Sequence, residues 1–212
     1  MNIILFGHLK GGVGKSTILV NIAAELQRLG KDVVIVEADP SVHTASNWAR
    51  DREEAGYQRI QCVQKLGNIR STLLDLAERY DFVLVDAAGK DSKEMRTAMT
   101  AARIIVVPMQ PSQADMDSTE DLVTTIEEAR DFNPELKAMG VFNRASTNNF
   151  STDVTEGHAY MAAYPEVPMA QTTLHERKSY KTCLEDGRGV VEMKDSKARA
   201  EIQLLAQEVL KW

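Results

Sequence analysis

The chain has 212 residues, of which 43% are hydrophobic, and its formal net charge is -6 at pH 7. This length and apolar content suffice for one sizeable core, so we expect residues 1–212 to form a single domain. The longest apolar runs are only as long as strands, and the N-terminus lacks the basic region and apolar core of a signal peptide. The composition therefore argues against a membrane-spanning or secreted protein and predicts a cytoplasmic one.

Short β-branched runs alternate with longer helical patterns along the chain. The predicted strands are residues 2–7, 32–37, 82–86, 103–108 and 138–143. Their nearly continuous apolarity is typical of strands buried on both faces, and the helical patterns between them supply the crossovers that parallel strands need. The sequence therefore predicts an α/β fold, with a single doubly wound, mostly parallel sheet and helices on both faces. Ligands of such sheets bind at the carboxyl ends of the strands.

A glycine-rich loop with two lysines lies between the first predicted strand and the first predicted helix. Its residues are Lys10, Gly11, Gly12, Val13, Gly14, Lys15, Ser16 and Thr17. Glycines let successive backbone N–H groups curl around phosphate oxygens, while Lys15 adds a charge on the β- and γ-phosphates and Ser16 offers a hydroxyl to Mg²⁺. Leu9 stands where the strict P-loop pattern has its first glycine, and Lys10 is an extra lysine. The loop therefore predicts a variant P-loop that binds a nucleoside triphosphate.

Two aspartates follow predicted strands at the same edge of the sheet. Asp86 ends the strand 82–86 and is suited to hold Mg²⁺ through a bound water beside Ser16. Asp39 follows the second strand, where a carboxylate can orient a water in line with the γ-phosphorus and reach the metal indirectly. The alternative for each acid is a local role in capping the next turn. The small residues 87–89 predict a switch whose backbone approaches the γ-phosphate.

Four motifs together resemble the deviant Walker A ATPases of the ParA/MinD group. They are the K-G-G-V-G-K-S-T loop, the D-P turn after the second strand, the V-D-A-A-G segment and the V-P-M-Q-P strand end. The resemblance is strong from residue 1 to about 145 and implies a Mg²⁺-dependent ATPase that converts ATP to ADP and phosphate. The short chain and residues 173–180 resemble the small ParA-type plasmid partition ATPases, although Glu37 replaces the first acid of their D-x-D-P motif.

The resemblance also implies roles for individual residues. Lys10 matches the signature lysine, which reaches across an ATP-dependent homodimer to the partner's phosphates. Lys15 matches the lysine of the loop that contacts bound phosphates. Asp39 matches the acid that activates water, and Asp86 the acid linked to Mg²⁺. The residues that the resemblance puts near adenine are Pro108, Gln110 and Asn143.

A basic region lies near the end of this acidic chain. Residues 175–199 carry a net charge of +2, which leaves -8 for the rest. The predicted DNA contacts are Arg177, Lys178, Lys181, Lys194 and Lys197. A dimer pairs two such patches, so ATP-dependent dimerisation would gate binding to non-specific DNA. The alternative is an ordinary solvated helix face.

Three functions remain open at this point. The leading one is a DNA (plasmid) segregation ATPase that associates with the nucleoid until a plasmid-borne, centromere-binding adaptor protein stimulates hydrolysis. The second is a MinD-like membrane-associated positioning ATPase. Few basic residues accompany the amphipathic stretch 198–212, so we expect that stretch to pack against the protein and expect no membrane partner. The third is a P-loop metabolic ligase with a small-molecule acceptor.

Overall fold

A six-stranded parallel sheet organises the protein. The computed structural model describes residues 2–112, 118–148 and 150–212. The strands are β1 (Ile3–Phe6), β2 (Val33–Ala38), β3 (Gln61–Gln64), β4 (Phe82–Ala87), β5 (Ile104–Met109) and β6 (Lys137–Phe142). They lie in the order β3-β2-β4-β1-β5-β6, and every pair of neighbours is parallel. The predicted α/β class and parallel sheet are confirmed.

Helices cover both faces of this sheet. Within the described ranges they are α1 (Lys15–Arg28), α2 (Thr44–Glu54), α3 (Arg70–Ala77), α4 (Lys93–Met99), α5 (Thr119–Arg130), α6 (Asp153–Met161), α7 (Lys178–Glu185) and α8 (Ser196–Lys211), with a 3₁₀ turn at Val190–Glu192. Alternate strand residues point to opposite faces. Ile4 and Leu84 therefore pack with α1, α2, α7 and α8, whereas Leu5 and Val83 pack with α3 to α6. The sheet is doubly wound, as the sequence predicts.

One strand, β3, is absent from the strands that the sequence predicts. Strand β3, with the sequence Q-C-V-Q, is half-exposed and pairs only with β2, where Val36 lies opposite Val63. An edge strand of this kind needs neither continuous apolarity nor β-branched residues, because one of its sides faces solvent. Its thiol, Cys62, and the buried Cys183 are both free, and burial raises their pKa values to about 12 and about 11. Raised pKa values of this size disfavour the reactive thiolate form of both side chains.

The C-terminal helix packs into the core. Ile202, Leu205 and Val209 of α8 are buried against α1 and the sheet, and Trp212 packs at the margin of the same cluster. The expected packing of the amphipathic stretch is confirmed. Across the described ranges, no helix combines the length and the apolarity that crossing a bilayer requires.

Candidate nucleotide site

A cavity of about 220 Å³ opens at the carboxyl ends of β1, β2 and β4. Three loops that follow these strands meet in it, because parallel strands deliver their carboxyl ends to one edge of the sheet. The predicted residues that line it are Gly11, Gly12, Gly14, Lys15, Ser16, Thr17, Asp39 and Asp86. Ala87 and Gly89 of the predicted switch segment also line it, and so do residues that the sequence did not single out, namely Val42, Thr44, Arg144 and Leu184.

The loop between β1 and α1 has a backbone that requires glycine. Gly14 caps α1 with φ of 99°, and a Cβ there would lie 2.1 Å from Nδ2 of Asn143. That amide donates a hydrogen bond of 2.8 Å to the carbonyl oxygen of Val13. Asn143 therefore supports the loop from the end of β6. The first turn of α1, whose N–H groups lack intrahelical partners, lines the cavity.

Lys15 is buried at the base of this loop. Its Nζ donates a hydrogen bond of 3.1 Å to the carbonyl oxygen of Lys10. Burial lowers the pKa of Lys15, while the carboxylates of Asp86 and Asp39 act in the opposite direction. Lys10 itself is half-buried, and its N–H donates to Nδ1 of the buried His8 at 2.9 Å. The backbone of Lys10 thus joins the end of β1 to the side chain of Lys15.

Asp86 is buried at the end of β4 beside the hydroxyl of Ser16, to which it is hydrogen-bonded. Desolvation raises the pKa of Asp86 to about 7, although Ser16 and Lys15 both favour its ionised form. Its Oδ1 is buried without a hydrogen-bond partner among the residues that the structure describes. An unpartnered carboxylate oxygen next to a hydroxyl is the hard-oxygen environment that Mg²⁺ and its waters satisfy, so these residues fit Mg²⁺.

Asp39 is half-buried on the opposite wall. Its Oδ1 accepts hydrogen bonds from the N–H of Ser41 at 2.9 Å and from the hydroxyl of Ser41 at 2.6 Å. This is the local turn contact that the sequence left as an alternative, and it fixes one carboxylate oxygen. The same side chain lines the cavity, close enough to act electrostatically on both Lys15 and Asp86. The two interpretations of Asp39 are therefore compatible.

The loop after β4 lies directly on the glycine-rich loop. A Cβ at Gly89 would come within 2.5 Å of Cα of Gly11 and 2.8 Å of the carbonyl oxygen of Lys10. Only glycine allows this approach of two backbones. The predicted switch segment and the glycine-rich loop are therefore in contact.

The three residues predicted near adenine do not lie together in the structure. Asn143 borders a small groove that continues the cavity past Thr17 and Arg144. Pro108 is buried inside β5 opposite Val141, and Gln110 follows that strand. Neither appears among the described residues that line the cavity or the groove. Arg144 is not among the predicted site residues. It is exposed with φ of 56°, a left-handed conformation uncommon outside glycine.

The predicted DNA-contact residues fall into two groups. Lys178, Lys181, Lys194 and Lys197 are exposed, on α7 and around the start of α8. Arg177 is less exposed, and its guanidinium lies 2.6 Å from the carboxylate of Glu201 on α8. Glu201 also accepts a hydrogen bond of 3.0 Å from the hydroxyl of Tyr180. Arg177 therefore has its charge balanced within the protein.

Fold and cavity together define a P-loop nucleoside triphosphatase. A glycine-rich loop, a buried lysine, a hydroxyl and two carboxylates meet at the strand ends where this class binds nucleotide. The chain belongs to the CobQ/CobB/MinD/ParA nucleotide binding domain family, whose model matches residues 4–190. ATP and Mg²⁺ are consistent with this family and with the groups in the cavity. The predicted membership of the ParA/MinD group is thereby confirmed.

Individual relatives agree with this assignment. The chromosome-partitioning ATPase Soj of Thermus thermophilus is 32% identical over 168 residues, which are 65% of this chain and 67% of Soj. The maintenance of carboxysome distribution protein A of Halothiobacillus neapolitanus is 28% identical over 207 residues, covering 96% of this chain and 94% of that protein. The septum site-determining protein MinD complexed with Mg-ADP from Pyrococcus horikoshii OT3 has a TM-score of 0.76 at 18% identity, over 98% of this chain and 95% of that chain. The last comparison concerns the fold alone.

Proposed function

We propose that residues 1–212 form a single-domain, Mg²⁺-dependent ATPase that segregates DNA, such as a plasmid, by dimerising with ATP and binding DNA non-specifically. The observation that carries the proposal is the convergence of Lys15, Ser16, Asp39 and Asp86 on one cavity whose loop bears a second lysine, Lys10. The names of the relatives support a role in partition or positioning, since one is a chromosome-partitioning ATPase and another maintains carboxysome distribution.

Each residue of the cavity has a distinct part in hydrolysis. Backbone N–H groups of the loop and Lys15 would hold the phosphates, while the hydroxyl of Ser16 and the carboxylate of Asp86 would hold Mg²⁺. The metal, when bound, neutralises charge that develops on the phosphates. Asp39 orients the attacking water. Asn143 keeps the loop in shape through Val13 and borders the groove that would take the nucleoside.

Lys10 acts between subunits in this proposal. Its backbone is held by His8 and Lys15, so its side chain projects from a fixed point on the loop. A lysine delivered to the partner's phosphates would add positive charge only when two subunits meet, which couples dimerisation to the triphosphate. The proposed cycle ends when a plasmid-borne adaptor protein stimulates hydrolysis and the dimer separates.

DNA would bind the exposed lysines of α7 and α8. Lys178, Lys181, Lys194 and Lys197 present charge to solvent, whereas the charge of Arg177 is balanced by Glu201. We therefore assign the DNA contacts chiefly to the four lysines. Each dimer would present them twice, so that weak phosphate contacts add together. Nucleoid association would follow from this binding.

Retention of random-sequence duplex DNA in the presence of ATP tests this proposal. The charge-neutral variant replaces Lys178, Lys181, Lys194 and Lys197 with glutamine. The matched control replaces four exposed basic residues elsewhere, namely Lys31, Arg59, Arg70 and Arg79. We expect DNA retention to be lost in the first variant only, with basal ATPase activity kept in both. Each lost contact should lower the slope of log affinity against log salt by about 1. Equal retention by the two variants would reject the assigned surface.

The other two functions are outcomes of the same set of assays. A MinD-like positioning ATPase would sediment with anionic vesicles and ignore DNA, yet the apolar face of α8 is already buried in the core. A metabolic ligase would hydrolyse ATP only with a small-molecule acceptor. ATP-dependent, salt-sensitive DNA binding by the wild-type protein, without vesicle binding, supports segregation over both.

A further inference from the structure

A buried carboxylate, Glu37, holds the N-terminus of α2. Its Oε1 accepts hydrogen bonds from the N–H groups of Ala45 at 2.9 Å and Ser46 at 3.2 Å. Glu37 is 1% exposed and stands at the end of β2, opposite Asp86 of β4. The first N–H groups of a helix lack intrahelical partners, so a carboxylate that accepts from them fixes where the helix begins.

The other oxygen of Glu37 is held by a neighbouring strand. Nε2 of Gln64, the last residue of β3, lies 3.0 Å from Oε2 of Glu37. The same amide nitrogen lies 3.2 Å from the hydroxyl oxygen of Ser46 and 3.0 Å from Nδ1 of His43. Gln64 thus joins β3, β2 and the first turn of α2. This interaction network is called the Glu37 clamp below, and it consists of Glu37, Gln64, Ala45 and Ser46.

The clamp closes the loop that carries Asp39. That loop leaves β2 two residues after Glu37 and enters α2 at Thr44, so both of its ends are tied to the same carboxylate. Within the loop, Ser41 holds one oxygen of Asp39. A loop this short with both ends fixed has few conformations left, and the position of its acid depends on the clamp.

We propose that Glu37 is a positioning residue for ATP hydrolysis, which sets the place of Asp39 by clamping the first turn of α2 to the end of β2. The inference rests on the proposed role of Asp39. The donors of the clamp are neutral N–H groups, although Nδ1 of the exposed His43 also lies 3.5 Å from Oε2 of Glu37. The requirement in this proposal is an acceptor oxygen at the distance of Glu37 rather than a negative charge. Phosphate binding uses the loop 10–17, none of whose residues belongs to the clamp, although the carboxylate of Glu37 acts electrostatically on Asp86 of the same cavity.

Two substitutions distinguish an acceptor from a charge. Glu37→Ala removes the acceptor, and we expect kcat for ATP to fall by about 10- to 100-fold while the Kd of ATP stays within about threefold. Glu37→Gln keeps an acceptor oxygen at the same reach, and the exposed amide of Gln64 can turn to match it. This conservative variant should keep kcat within about threefold of wild type.

Amide hydrogen exchange gives a second readout that does not depend on catalysis. The N–H groups of Ala45 and Ser46 should exchange faster in Glu37→Ala and at the wild-type rate in Glu37→Gln. If Glu37→Ala does not fold, Gln64→Ala carries the test at an exposed position. There a kcat lower by about three- to tenfold supports the clamp, and an unchanged kcat overturns it.

The outcomes separate this proposal from the proposed function. Faster exchange in Glu37→Ala with an unchanged kcat would overturn the positioning role while leaving ATP hydrolysis intact. Equal loss of kcat in the alanine and glutamine variants would also overturn it, since charge would then be the requirement. Asp39→Ala serves as the reference, and a wild-type kcat in that variant would instead reject the role of Asp39 in the proposed function.

Discussion

The buried carboxylate of Asp86 should destabilise the nucleotide-free protein. The substitution Asp86→Asn should therefore raise the free energy of unfolding. The folded protein holds the pKa of Asp86 at about 7, against 3.8 for an ordinary aspartate, chiefly because the group is desolvated. Folding therefore disfavours the ionised form. The cost is absent at pH values below the unfolded pKa and grows as the pH rises toward the folded one.

The expected magnitude follows from these two pKa values. The ionised carboxylate lowers the free energy of unfolding by about 2 kcal/mol at pH 5.5 and by about 4 kcal/mol at pH 8.5. The amide introduced by Asp86→Asn would keep an acceptor for Ser16 without the charge. We therefore expect this variant to be more stable than wild type, with a gain that increases by about 2 kcal/mol over this pH range.

Urea denaturation in EDTA, without nucleotide, measures the effect at several pH values. The matched control is Asp75→Asn, an exposed aspartate on α3 whose replacement should change stability by less than about 0.5 kcal/mol. A gain that does not depend on pH would refute the reasoning, and so would a loss of stability at pH 8.5. Either result would mean that the carboxylate is paired in the folded protein without Mg²⁺.

Three further substitutions probe the loop. Lys15→Ala should raise the Kd of ATP by about 10- to 100-fold, because a charge-assisted hydrogen bond contributes about 1.5–3 kcal/mol, and unchanged affinity in calorimetry would contradict the assignment. Lys10→Ala should bind ATP almost normally yet remain monomeric with ATP in light scattering, whereas a loss of monomer affinity would show that Lys10 acts within its own subunit. Gly14→Ala should destabilise the protein by about 2 kcal/mol in thermal or urea unfolding, since φ is 99° and the new Cβ meets Asn143. An added Cβ at Gly11 would have no atom within 4 Å, so Gly11→Ala serves as the control for Gly14→Ala. Equal destabilisation by the two substitutions would contradict the steric argument.

The sequence predicts well those features that depend on residues close together in the chain. The inner strands are continuous apolar runs, so their places and the parallel sheet follow directly. The glycine-rich loop and the acids at strand ends follow from residue type and from the single edge at which parallel strands finish. Strand β3 is absent from the predicted strands because an edge strand with glutamines at both ends carries no such pattern.

Contacts between distant residues lie beyond these patterns. The sequence predicts Arg177 as a DNA contact, because nothing near it in the chain indicates its ion pair. The packing of α7 on α8 brings it to Glu201. The support of Val13 by Asn143 joins residues 130 positions apart. In the sequence, Glu37 is recognisable only as the residue that replaces the first acid of the D-x-D-P motif. Its hydrogen-bond partners belong to α2 and β3, which the motif does not include. Such pairings depend on the tertiary arrangement, which residue types alone do not specify.

The close approach of Gly89 to Gly11 ties the positions of two loops to each other. A Cβ on residue 89 would lie only 2.5 Å from Cα of Gly11, so little room is left for either backbone to move toward the other. A ligand that shifted the glycine-rich loop toward Gly89 would therefore displace the segment that leads to α4, which begins four residues later at Lys93. On the far face of the sheet, Arg96 of α4 is paired with Glu128 of α5. We therefore expect the surface of the sheet opposite α7 and α8 to respond when the glycine-rich loop binds a ligand.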